Sequence, residues 1–263
     1  MDKKQQRPLA VVTGASDGIG YELAVQFAEN GFDLLVCAED RGIAEAAQAF
    51  QGRGVEAFSM QVDLATPDGV EKFYQRIRSL NRPVEAIAIN AGIGVNGRFA
   101  EDTALQDELK LIDLNVRSSV HLTKLVVKDM AARKAGRVLI VSSIASTMPA
   151  PYMAVYAASK SFLQSFSQAI REELKDSGVT VTSLMPGATE TNFFHRAGME
   201  DTKVGQAKKD DPADVAKDGF DALMAGKDHV VAGSLKNSVQ AGIAKVLPET
   251  IQAKIHGAQT KPQ

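Results

Sequence analysis

The chain reads as an α/β protein, a single domain on a doubly wound, parallel, seven-stranded sheet. Three observations predict this. Short apolar or β-branched runs alternate with helix-length amphipathic segments from Leu9 to Ala232. The runs are apolar at nearly every position, as strands covered on both faces must be, so the intervening helices serve as right-handed crossovers. No repeat, low-complexity tract or linker divides the 263 residues, of which 44% are hydrophobic and 24% charged, a balance suited to one large core.

Leu9 to Thr13 is the first strand, and the glycine-rich turn after it opens a helix over Ile19 to Asn30, which Gly31 ends. Strand Asp33 to Ala38 precedes helix Ile43 to Gln51; strand Glu56 to Gln61 precedes helix Asp68 to Ser79. Strand Glu85 to Asn90 leads to a long helical pattern, Leu105 to Arg133, and strand Arg137 to Ser142 leads to another, Val155 to Asp176, ended near Gly178. Strand Thr180 to Leu184, helix Ala213 to Met224 and strand His229 to Ala232 complete the set. Thr191 to Asp210 mixes Gly, Lys and Asp after Phe193 and Phe194, the composition of a mobile lid. Residues 1–234 form the body of the domain and 235–263 a helical extension of it. There Val239, Ile243, Val246, Leu247, Ile251 and Ile255 recur at roughly helical spacing, interrupted by Pro248 and accompanied by Lys236, Lys245 and Lys254. Packing over the substrate side or against another subunit suits this tail better than membrane attachment, because the proline breaks it and its basic charge is sparse.

Thirty basic against 32 acidic residues give a net charge of −2, so no global field draws nucleic acid or an anionic membrane. The chain begins with a short polar stretch and only a brief apolar run, which points to the cytoplasm rather than to secretion or a membrane span. Cys37 is the single cysteine, so no intramolecular disulfide is expected. His121, His195, His229 and His256 lack metal-ligand spacing, and no metal is expected.

Two clusters carry chemistry. Gly14, Gly18 and Gly20 lie between the first strand and first helix, where exposed backbone N–H groups and the positive helix end can hold a pyrophosphate. Tyr156 and Lys160 stand at i and i+4 near the start of a helix, placing an ammonium beside a phenol and favouring phenolate. Ser143 ends the preceding strand thirteen positions before the tyrosine. Its neighbour Ser142 points elsewhere, because successive strand side chains alternate.

With the glycine turn, Ser143 and Tyr156-x3-Lys160 in this order, the chain resembles the short-chain dehydrogenase/reductase family over Leu9 to about Ala232. Asn90-Ala91-Gly92 looks like that family's Asn-Ala-Gly element, Asn115 falls where the family has a catalytic asparagine, and Pro186-Gly187 fits its nicotinamide-side turn. The resemblance implies a Rossmann-type fold, a dimer or tetramer with contact faces on the Leu105 to Arg133 and Val155 to Asp176 helices, and a nicotinamide cofactor. It implies that Gly14, Ser16, Asp17, Gly18, Ile19 and Gly20 form the phosphate turn. Asp63 and Leu64 would approach the adenine, Asn90, Ala91 and Gly92 would support the ribose and loop, and Thr189 and Thr191 would contact the nicotinamide carboxamide or a phosphate. Asn115, Ser143, Tyr156 and Lys160 are the implied catalytic set, Asn115 bending its helix and holding a water that connects Lys160 to solvent. Ile89 departs from the family, which often has asparagine there.

Glu39 and Asp40 follow the second strand, whose end meets the adenosine ribose. Carboxylates accept from ribose hydroxyls and repel a 2'-phosphate, which favours NAD, while Arg41 leaves NADP open. The reaction expected is hydride transfer between nicotinamide and a small-molecule alcohol or carbonyl, with Tyr156 as general acid/base. The alternatives are isomerase or lyase chemistry on the same scaffold and a non-catalytic dinucleotide sensor. The substrate pocket is expected from Gly94 to Phe99, Ala145 to Met153 and the lid, all rich in apolar side chains.

Overall fold

A computed structural model describes residues 6–234, 237, 242 and 248–262. Seven parallel strands form one sheet in the order β3-β2-β1-β4-β5-β6-β7: β1 Leu9–Thr13, β2 Asp33–Ala38, β3 Ala57–Gln61, β4 Val84–Ile89, β5 Gly136–Val141, β6 Val179–Pro186 and β7 His229–Ala232. The doubly wound parallel sheet expected from the apolar runs is therefore present, with β6 running two residues further, through Pro186.

Alternation within those apolar runs decides which helices cover which face. Ala10, Val12, Leu34, Val36, Ala88, Leu139 and Leu184 turn to one side, where α1 (Gly18–Glu29), α2 (Gly42–Gln51) and α9 (Pro212–Met224) bury them. Val11, Leu35, Ile87, Ile140 and Val181 turn to the other, under α3 (Pro67–Ser79), α5 (Ser119–Ala132) and α6 (Ala154–Glu173). Helix α3 shows the local logic. Thr66 caps it by accepting from Gly69 N at 3.0 Å, Pro67 begins it, and Val70, Phe73 and Ile77 make one buried stripe. Burial of a side chain such as Phe73 contributes roughly 1.5–3 kcal/mol.

Two segments differ from the pattern read in the sequence. The long helix expected over Leu105 to Arg133 is α4 (Leu105–Ile112) and α5 joined by a π-helical turn at Asp113–Ser118. The 191–210 segment contains two short helices, α7 (Phe193–Arg196) and α8 (Lys203–Gln206), the second capped by Thr202, which accepts from Gly205 N at 3.0 Å. In the tail, Pro248 stands outside helix at the N-cap position of α10 (Glu249–Thr260), where its missing N–H costs nothing. Val239, Ile243, Val246, Leu247, Lys236 and Lys245 lie outside the described residues. Helix α10 packs against α8, and Thr260 Oγ1 donates to Pro151 O at 2.7 Å, so this part of the tail lies over the lid and the loop before α6.

The chain places β2 and β3 on one side of β1 and β4 on the other. Ligands of such sheets bind where the strand order reverses, at the carboxyl ends of β1 and β4.

Candidate active site

A cavity of about 460 Å³ opens at that reversal. One end is the turn after β1. Gly14 and Gly18 hold φ of +65° and +57°, and a Cβ on Gly20 would lie 2.0 Å from the Gly14 carbonyl oxygen. The turn therefore folds onto itself only with glycine; Gly14 N and Ala15 N donate to Cys37 O at 2.8 and 3.2 Å, while the first N–H groups of α1 receive no side-chain cap from Asp17. Such a cradle fits a pyrophosphate. Asn90 locks it to the sheet: Nδ2 donates to Thr13 O at 2.9 Å and Gly14 O at 3.0 Å, while Thr13 Oγ1 accepts from Asn90 N and Ala91 N at 2.9 and 3.0 Å. Ile89, the departure from the family pattern, is buried in the sheet core, and the hydrogen bonds across the two strand ends come from Asn90 and Thr13 instead.

At the adenosine end the two acids behave differently. Glu39 is half exposed and faces Lys110 at 3.5 Å. Asp40 is fixed at the turn, accepting from Ser16 Oγ at 2.7 Å and Gly42 N at 2.9 Å. Both line the cavity. Asp63 also lines it but spends one carboxylate oxygen on Ala65 N at 2.8 Å, and Leu64 beside it is buried.

At the other end stand Ser143, Tyr156 and Lys160. Ser143 follows β5 and caps a short 3₁₀ turn, Ile144–Thr147, accepting from Ala145 N at 3.1 Å. Lys160, 5% exposed, donates from Nζ to Val141 O at 3.0 Å, and its ammonium lies 5.7 Å from the Tyr156 ring centroid. Ser142 also borders the cavity, but its hydroxyl is spent on Lys160 O, to which it donates at 2.8 Å. Phe193 of the lid packs on the phenol with ring centroids 5.2 Å apart.

The electrostatics differ from the expectation that lysine lowers the phenol pKa. Burial pushes Tyr156 up to about 12, the hydrogen bond with Ser143 pulling the other way, and burial pushes Lys160 down to about 8. Desolvation dominates at both groups, with the ammonium hydrogen-bonded to the Val141 carbonyl and lying over the ring face 5.7 Å from its centroid.

Asn115 sits at 0% exposure inside the π turn. Its Oδ1 accepts from Ile93 N at 2.9 Å, and its Nδ2 donates to Ile93 O at 2.9 Å and Ser159 Oγ at 3.1 Å. The widened turn is what lets a mid-helix asparagine reach out of its own helix. A Cβ on Gly92 would lie 3.1 Å from Asn115 Oδ1 and 3.4 Å from Lys160 Nζ, so Gly92 leaves room for both.

Pro186, Gly187, Thr189 and Thr191 line the cavity between these ends. Thr189 Oγ1 donates to Gly187 O at 3.1 Å, and Thr191 Oγ1 accepts from Phe193 N at 3.2 Å. Every residue singled out in the sequence for catalysis or cofactor binding thus borders the cavity except Asn115; of the stretches expected to form the substrate pocket, Ala145, Met153 and the lid border it, whereas Gly94 to Phe99 do not. Asp40, weighed beside Glu39, lines it too, as do Arg196, His256, Gln259 and Thr260, which were not singled out; these four lie on the lid and the C-terminal helix, where no spacing rule points to them.

A sequence profile of short chain dehydrogenases matches residues 8–201. The chain belongs to the short-chain dehydrogenase family. It is 30% identical over 253 residues to dehydrogenase/reductase SDR family member 7B of Mus musculus, covering 91% of this chain and 77% of the mouse protein. A short-chain dehydrogenase from Sphingobium yanoikuyae, solved with NADPH, superposes with a TM-score of 0.80 at 25% identity, over 92% of this chain and 97% of that one. A Beutenbergia cavernae protein assigned as an NAD(P)-dependent gluconate 5-dehydrogenase, with NADP at low occupancy, gives 0.74 at 27% identity over 86% and 95%. Among the described residues no helix is long and apolar enough to cross a membrane, and no group of three His, Cys, Asp or Glu could hold a metal.

Proposed function

We propose that this member of the family is a nicotinamide-dependent oxidoreductase interconverting a small-molecule alcohol and its carbonyl compound, with Tyr156 as general acid/base. The observation that carries the reading is the placing of Ser143, Tyr156 and Lys160 at one end of a cavity whose other end is the glycine turn. A bound nicotinamide would supply or accept the hydride. Ser143 would donate to the substrate oxygen and stabilise developing alkoxide character. Tyr156, neutral at pH 7 with its pKa raised to about 12, is poised to donate a proton to that oxygen in the reducing direction. Lys160, with a pKa of about 8, is mostly charged at neutral pH and offers the positive charge that the reverse step needs beside the phenol. Asn115 would hold the Ile93 loop and Ser159 in place and support a water leading the proton from Lys160 to solvent.

For the dinucleotide we infer a preference for NAD over NADP. The two solved relatives above carry NADPH and NADP, but here Glu39 and Asp40 both line the adenosine end, and Asp40 is held there by Ser16 and Gly42. A 2'-phosphate would meet two carboxylates. We further propose a homodimer or homotetramer through α4 and α6, where Leu105, Leu109, Ile112 and Phe162 are exposed. Cys37, buried with its thiol pushed up by desolvation, suits a reducing compartment such as the cytoplasm.

The test is a panel of carbonyl compounds and alcohols followed by NADH and NADPH absorbance, with wild type beside Tyr156→Phe. Turnover in the wild type and its loss in the variant, with NADH binding kept, is the expected result. Product formed without net cofactor oxidation would move the reading to isomerase or lyase chemistry.

A further inference from the structure

Asp17 occupies the N-cap position of α1 but makes no capping bond to that helix. Its carboxylate reaches out of the phosphate turn to the lid. Oδ2 accepts from Asn192 Nδ2 at 2.9 Å and Oδ1 from Arg196 Nη2 at 3.1 Å, across 175 and 179 residues of sequence. Beside them the Thr191 methyl is seated over Gly18, 2.9 Å from where a Cβ would stand. The lid is thus fastened to the turn at three points, Thr191, Asn192 and Arg196.

The fastening is electrostatically odd for a phosphate site. A pyrophosphate at the N-terminus of α1 is favoured by the uncapped N–H groups of that helix and opposed by a carboxylate in the same turn. Arg196 is the cation that settles this conflict. It lines the cavity with the turn, and Asp17 already holds its guanidinium there. Arg196 and Asp17 retain 52% and 33% side-chain exposure, so their pairing is screened by water and exchanges readily. A guanidinium has five donors in a planar fork and binds carboxylate and phosphate oxygens alike.

Resting on the dinucleotide reading above, we propose that Arg196 is a cofactor-phosphate ligand carried by the lid. Asp17 parks it at the turn in the free protein, and it passes to the pyrophosphate on binding, so that lid closure and dinucleotide loading are one event. The two members of the pair then act in opposite senses. Arg196 contributes to dinucleotide affinity, whereas Asp17 competes with the phosphates for Arg196 and repels them.

The experiment is calorimetric titration of NADH and of ADP-ribose, which has the pyrophosphate but no nicotinamide, into wild type, Arg196→Ala, Arg196→Lys and Asp17→Asn. Arg196→Ala should weaken both ligands about tenfold, equivalent to 1.4 kcal/mol. Arg196→Lys should fall between, having the charge without the fork. Asp17→Asn, isosteric and still able to hydrogen-bond to Asn192, should bind both ligands as tightly as wild type or several-fold more tightly. Limited proteolysis of the 193–206 segment adds a reading independent of affinity: ADP-ribose should protect it in wild type and Asp17→Asn but not in Arg196→Ala. Weakening by Asp17→Asn equal to that of Arg196→Ala would overturn the handover and make the pair a static tie. So would unchanged affinity in Arg196→Ala. A wild type that binds neither NADH nor ADP-ribose would overturn the dinucleotide reading itself, a result distinct from both.

Discussion

The two ends of the cavity are built on different principles. The phosphate end is backbone: a turn of glycines at the strand-order reversal, its carbonyls tied to Asn90 and its edge fixed by the Asp40 bonds to Ser16 and Gly42. The substrate end is side chain: Met153, Phe193, Phe194, Met199 and Val204 from the loop before α6 and the lid, with His256 and Thr260 from α10. Around it some polar atoms are buried without a partner, among them Asn96 Oδ1 and His256 Nδ1. Backbone geometry admits few solutions and so serves any dinucleotide enzyme of this fold. Side chains on short helices are free to change, and this end is also the less completely satisfied one.

Tyr156→Phe gives the largest separation of the two ends. It removes the proton carrier and leaves the turn untouched, so kcat should drop about a thousandfold while the NADH dissociation constant changes less than about twofold. Stopped-flow turnover beside a fluorescence titration measures both. A parallel loss of binding would show that the two ends are not independent.

Gly20→Ala attacks the other end. The added methyl would lie 2.0 Å from the Gly14 carbonyl oxygen, so the turn must move and α1 with it. A stability loss of roughly 1–3 kcal/mol is expected, together with loss of detectable NADH binding. Urea unfolding and calorimetry check the pair of effects. Retained binding would mean that the turn is less constrained than its geometry requires.

The same division decides what could be read from the sequence. Gly14, Gly18, Gly20, Ser143, Tyr156 and Lys160 were legible because their chemistry follows from local spacing, a strand-to-helix turn in one case and one helical turn in the other. Asn115 was legible by position, but the π turn was not, since only the Ile93 and Ser159 partners show why the helix must widen there. Glu39 and Asp40 were legible as a pair, but not that Asp40 is the fixed one, since the Ser16 hydroxyl and Gly42 N–H converge on it only after folding. Arg196 and Asp17 are 179 residues apart, and nothing local joins them.

Lys160→Met tests whether the chemical end carries a stability cost. Burial lowers Lys160 from 10.5 to about 8, so between these values the unfolded chain binds the proton and the folded chain does not. The penalty is therefore fully present below pH 8 and fades as pH rises toward 10.5. The variant should lose turnover yet unfold at higher urea concentration at pH 7, by on the order of 1–3 kcal/mol, with the gain shrinking between pH 8 and 10.5. A variant less stable than wild type at pH 7 would show that the Val141 hydrogen bond outweighs desolvation.

His256→Phe probes the substrate end with the smallest expected effect. Burial lowers the His256 pKa from 6.5, the Pro149 carbonyl opposing, and its Nδ1 is buried without a partner. The unfolded chain therefore takes up a proton more readily as pH falls through 6.5, so this residue makes the protein lose stability on the acid side and has little effect above pH 7. Phenylalanine keeps a ring of similar shape without the titrating nitrogens. At pH 7 its stability should stay within about 1 kcal/mol of wild type. Between pH 6.5 and 5 the variant should lose less stability than wild type. If the two acid limbs of the urea midpoint superpose, His256 does not govern the docking of α10, and the polar imbalance at the substrate end must be sought at Asn96, whose Nδ2 already donates to Thr260 O at 3.0 Å.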